Sequence, residues 1–74
     1  MWRFKFGTGP SGKTVRIINE EDFNQGFGVS YGVDSQITEL LEMIGCYELM
    51  EGVYEVTDED EVRETLLDFG LIEI

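Results

Sequence analysis

Gly7-Thr8-Gly9-Pro10-Ser11-Gly12-Lys13-Thr14 places glycines, a lysine and a threonine at the spacing G-x-x-x-x-G-K-[ST]. That spacing suits phosphate chemistry. Successive N–H groups of a glycine-rich loop converge on phosphate oxygens, a lysine neutralises their charge, and a hydroxyl binds magnesium. The same residues also satisfy G-x-G-x-x-G, and with Val15 they satisfy G-x-G-x-x-G-x-V. The phosphate-loop chemistry requires a setting as well as letters: a strand leads in, and the loop opens a helix whose N-terminal dipole favours anions.

Through Gly12, Lys13 and Thr14 the segment resembles the P-loop NTPases over eight of the 74 residues. The resemblance implies phosphate contacts at Gly12 and Lys13 and a magnesium ligand at Thr14, as in a small nucleotide- or anion-binding module. The longer pattern resembles the glycine-rich loop of protein kinases, and Asp68-Phe69-Gly70 matches their D-F-G triplet. A kinase also needs an H-R-D loop and a longer chain, and neither is present. A solvent-facing acid, a core aromatic and a helix stop account for Asp68-Phe69-Gly70 without chemistry. The residues after the loop decide its setting. Thr14-Val15-Arg16-Ile17-Ile18 is β-branched and favours a strand over a helix. The loop is therefore read as the turn of a hairpin, with Lys13 at its tip available to a partner's acid and the phosphate site as the alternative.

Other catalytic constellations are excluded by residue type. The chain has no histidine and one cysteine, Cys46, so finger-type zinc sites, Ser-His-Asp and Cys-His arrangements and an internal disulfide are all ruled out. Cys46 follows a glycine among apolar residues and reads as a small buried hydrophobe. Asp58-Glu59-Asp60-Glu61 lacks EF-hand spacing, because Val62 takes the third ligand position. Acids there suit the first turn of a helix. No catalytic residue, metal or cofactor is expected, and the chain is read as non-enzymatic.

Charge is the remaining signal. Arg3, Lys5, Lys13 and Arg16 make residues 1–18 wholly basic at +4, whereas residues 19–74 hold all 16 acids and only Arg63, a local −15 within the net −11. Such a field repels nucleic acid and anionic membrane and draws basic partners. It also costs a small domain stability through self-repulsion, so its retention points to a use. Glu39, Glu42, Asp58, Glu59, Asp60, Glu61, Glu64 and Asp68 are the expected partner-binding face. Acids spaced like phosphates would occupy a basic groove on a nucleic-acid-binding protein, in the manner of the small inhibitors that phages often encode. No direct contact with nucleic acid or membrane is expected, and the chain should be a cytoplasmic monomer or small homo-oligomer. A subunit of a larger assembly, joined through an aromatic hairpin face, is a further alternative.

The elements that position these residues emerge from periodicity. Trp2, Phe4 and Phe6 alternate with Arg3 and Lys5, and Val15 and Ile17 alternate with Arg16, giving a hairpin with one aromatic and one basic side. A short helical turn is expected after Asn19, with Gly26 as its stop. Ile37, Leu40, Leu41 and Ile44 mark a helix capped at Asp34 or Ser35 and stopped by Gly45. Glu51-Gly52 turns between two strands, Thr57 or Asp58 caps a second helix with Val62, Leu66 and Phe69 on one face, and Gly70 ends it. A shift of 25 positions aligns Leu41 with Leu66, Gly45 with Gly70 and Glu48 with Glu73, a weak repeat of helix, glycine stop and strand. The expected fold is α+β, two helices on a small, largely antiparallel sheet. From Gly28 the order β-α-β-β-α-β would resemble a compact ferredoxin-like arrangement. One domain is expected, a basic hairpin followed by an acidic body.

Overall fold

A computed structural model describes residues 2–19 and 35–74. Strands β1 (Trp2–Gly9) and β2 (Gly12–Asn19) pair antiparallel from Trp2↔Asn19 to Gly9↔Gly12, so Pro10 and Ser11 alone make the turn. Helix α1 (Ser35–Met43), strands β3 (Tyr47–Met50) and β4 (Val53–Glu55), helix α2 (Glu59–Phe69) and strand β5 (Ile72–Glu73) complete the described elements. The helical turn expected after Asn19, its stop at Gly26, the strand expected from Gly28 and the cap at Asp34 lie outside the described residues.

The sheet is five-stranded and mixed, in the order β3-β4-β2-β1-β5. Its β1–β2, β2–β4 and β3–β4 pairs are antiparallel, and β1–β5 is parallel. The fold is α+β, and the hairpin lies within the sheet instead of beside it. Among the described residues a string β-α-β-β-α-β runs from β2 to β5. Its strands keep the order of a ferredoxin-like sheet, except that β1 is inserted between the first and the last.

Both helices cover one face. Phe4, Val15, Ile17 and Tyr54 from the strands pack with Ile37 and Leu41 of α1 and with Val62 and Leu66 of α2, all at most 1% exposed. Fully burying one such side chain contributes about 1.5–3 kcal/mol, against roughly 0–1 kcal/mol for a surface ion pair. The apolar layer, and not the charge, holds the helices on the sheet. Phe6 and Phe4 meet edge to face at 5.7 Å between ring centres. The opposite face carries Arg3, Lys5 and Arg16, with Lys5 directly across from Arg16.

The two helix ends repeat one device. Gly45 donates to Glu42 O at 3.1 Å and Cys46 to Leu41 O at 2.9 Å; Gly70 donates to Leu67 O and Leu71 to Leu66 O, both at 3.0 Å. This is the Schellman pattern, in which a glycine in the left-handed region lets the next residue fold back onto the helix. Gly45 and Gly70 have φ of 85° and 105°. The residues folded back, Cys46 and Leu71, are both buried. Phe69 departs from expectation: it is 44% exposed, and Leu71 takes the core position in its place. Phe69 is the last residue of α2, and the chain reverses just beyond it.

Candidate functional site

Strand alternation separates the residues of the phosphate-loop pattern. Gly12, Lys13 and Thr14 all belong to β2, and no helix succeeds the turn. Successive side chains of a strand point to opposite faces. Lys13 reaches the helical layer, where its Nζ lies 3.3 Å from Glu59 Oε2. Thr14 faces the side of the sheet away from the helices, beside Gly7 and Gly9. The lysine and hydroxyl are thus delivered to different surfaces, and the lysine at the hairpin pairs with an acid of its own chain. Gly9 has a steric reason: a Cβ there would lie 2.9 Å from the Thr14 methyl.

The helical layer gathers the acids. Asp58 caps α2, its Oδ1 accepting from the amide of Glu61 at 3.2 Å, and Glu59, Asp60 and Glu61 fill the first turn. Asp58, Asp60, Glu61, Glu64 and Asp68 lie along α2 and Glu39 and Glu42 along α1, where most are exposed; Glu59 is half-buried beneath Lys13 and Arg63. Glu61, Glu64 and Asp68 succeed one another at helical spacing along one stripe, and Glu39 and Glu42 sit a turn apart.

These carboxylates divide into two sets. On the β5 side, Arg63 bonds Glu73 at 2.8 Å and Asp60 at 3.3 Å, and approaches Glu59 to 3.8 Å. Its guanidinium also lies 5.0 Å from the centre of the Phe6 ring. The Glu73 hydrogen bonds hold the Arg63 pKa above its ordinary value. Lys13 completes this neutralised set. On the β3 side, Glu39, Glu42, Glu61, Glu64 and Asp68 hold no ion pair among the described residues.

Glu42 and Glu48 line an open hollow of about 460 Å³ together with Gly45, Cys46 and Tyr47. Burial, with the negative field of Glu61, pushes the Cys46 thiol up from its usual 9.0. Burial likewise raises Tyr54 above its usual 10.0; a hydrogen bond to Thr38 opposes the shift, and Glu48 and Glu42 reinforce it. Three carboxylates therefore act on this one corner. Glu48 is absent from the site expected on sequence grounds, although its place in the 25-residue repeat, matching Glu73, singles it out. In the second unit Glu73 meets Arg63. In the first, the position matching Arg63 is Thr38, whose hydroxyl bonds the Tyr54 hydroxyl at 2.9 Å, and no cation stands beside Glu48 among the described residues.

Among the described residues no cluster of side chains is arranged to hold a metal ion, and no helix is long and apolar enough to cross a membrane. Comparison with family models, with curated proteins and with solved structures gives no match to this chain.

Proposed function

We propose that the protein is a non-enzymatic binding protein that occupies a basic site on a larger protein with its acidic helical layer. The observation that carries this reading is the division of the carboxylates. Lys13 and Arg63 neutralise the acids next to β5, whereas Glu39, Glu42, Glu48, Glu61, Glu64 and Asp68 surround the α1–β3 corner and α2 with no cation beside them among the described residues. A partner's arginine or lysine placed there would stand to Glu48 as Arg63 stands to Glu73. Basic sites of this density are typical of nucleic-acid-binding proteins, where carboxylates substitute for phosphates. Acids held at helical spacing also give a fast, electrostatically steered encounter.

The test is capture of host proteins on the immobilised chain at low and high salt, with titration of the captured partner. Affinity should fall at least tenfold between low and physiological salt, and Glu61→Lys with Glu64→Lys should weaken it further while leaving the fold intact. An affinity indifferent to salt and to both substitutions overturns the reading.

A further inference from the structure

We propose that the face of the sheet opposite the helices holds a second site, a hollow on β1 and β2 that takes a phosphate-type oxyanion. The hollow has a volume of about 220 Å³ and is bounded by Lys5, Gly7, Thr14, Arg16 and Val53, with Phe6 and Thr8 completing its rim. It is distinct from the phosphate-loop pattern, since Lys13 lies on the other face of the sheet, at Glu59.

Three features point to an anion. Lys5 and Arg16 are directly opposed across the β1–β2 ladder. Like charges in that position repel and weaken a sheet. Of the five basic residues in the chain, Arg3, Lys5 and Arg16 share this one face, although the net charge is −11 and acids are abundant. The floor is bare, because Gly7 carries no side chain and stands opposite Thr14 in the ladder. The Thr14 hydroxyl borders that gap, about 3.5 Å from where a Gly7 Cβ would stand. An oxyanion seated over Gly7 would accept from Lys5 Nζ and Thr14 Oγ1, beside the opposed Lys5 and Arg16. Arg16 has an interaction of its own, so the donors are Lys5 and Thr14. Glu55, across from Thr14 on β4, is the acid of the described strands that shares this face. It does not line the hollow, and it limits how much negative charge the hollow can accept.

Two-dimensional ¹H–¹⁵N spectra of the chain, titrated with sodium phosphate against sodium chloride at equal ionic strength, test the site. Saturable shifts are expected at Gly7, Thr8, Thr14 and Arg16 with a dissociation constant of roughly 1 mM. Lys5→Gln and Thr14→Val should each weaken binding several-fold, and the dispersed spectrum reports that each variant is folded. An arm with adenosine monophosphate identifies the source of the anion. Tighter binding than phosphate at the same residues indicates a phosphomonoester ligand, and equal binding indicates the free ion. Shifts that match the chloride control, or that survive both substitutions, overturn the proposal.

Discussion

Arg63 Nε meets Glu73 Oε1 at 2.8 Å, and this contact ties α2 to the last strand of the sheet. The guanidinium also covers the Phe6 ring, so one side chain joins a helix, an edge strand and the aromatic row of β1. A lysine cannot reproduce the two-pronged contact, because its charge is a point and not a planar fork. Arg63→Ala should lower the thermal midpoint and Arg63→Lys should restore only part of the loss. Scanning calorimetry of both variants checks this, and a lysine variant equal to the parent would show that only charge matters there.

The helix stops give a second prediction. A Cβ at Gly70 would meet nothing within 4 Å, and one at Gly45 would just touch the Thr57 hydroxyl at 4.0 Å. Alanine at either site should therefore cost only the left-handed backbone strain, about 1–2 kcal/mol. That corresponds to a fall of roughly 4–8 °C per kcal/mol in a domain of this size. Asparagine, which tolerates the left-handed region, should cost less than alanine at both positions.

Gly9 fails for a different reason when replaced. Its Cβ would press on the Thr14 methyl at 2.9 Å, and Thr14 must leave its rotamer to make room. Gly9→Ala should cost about 1 kcal/mol. Thr14→Ser removes the methyl, so the double variant should recover most of that loss. A double-mutant cycle with no coupling would contradict the contact.

Tyr54 is fully buried, and its hydroxyl reaches Thr38 at 2.9 Å. Tyr54→Phe should cost about 0.5–1.5 kcal/mol by removing one partner of that bond. Thr38→Val should cost a similar amount, and the pair should be non-additive in chemical denaturation.

Alkaline pH should unfold the protein through Cys46 and Tyr54. Both groups are raised in the folded state, so the unfolded chain loses these protons first. Their contribution to stability is complete well below pH 9, at which the unfolded thiol is half ionised, and is lost as pH climbs through the raised values. Cys46→Ala should remove the lower part of that dependence in a pH series of denaturation midpoints. At neutral pH the buried thiol should react slowly with a disulfide reagent, at a rate that rises with denaturant.

The hairpin is legible in the sequence because alternation is a strong signal. Trp2, Phe4 and Phe6 must share a face, and so must Val15 and Ile17. Gly45 and Gly70 are legible as helix stops because each comes after a run at helical spacing. Periodicity alone misplaces Phe69, because it carries the helix one step too far. A glycine in the left-handed region redirects the next residue inward, and Leu71 replaces the aromatic. The insertion of β1 between β2 and β5 is not legible, because short strands do not encode their neighbours. Lys13 reads as free in the sequence because its partner, Glu59, lies 46 residues away. The acidic face can be read residue by residue from helical spacing. Its division by Arg63 and Lys13 cannot, since that depends on which acids the tertiary fold brings within reach.

The pairing of β1 with β5 has a kinetic consequence. Arg3 and Ile72 are neighbours in the ladder although nearly the whole described chain lies between them. The β1–β2 turn closes over two residues and can form within microseconds, ahead of any other part of the sheet. Joining β5 to β1 closes the longest loop in the sheet, and its entropic cost precedes the bond that Ile74 makes to Phe4. Until that closure, one edge of the central hairpin is unpaired, so folding should be slower than the small size of the chain suggests.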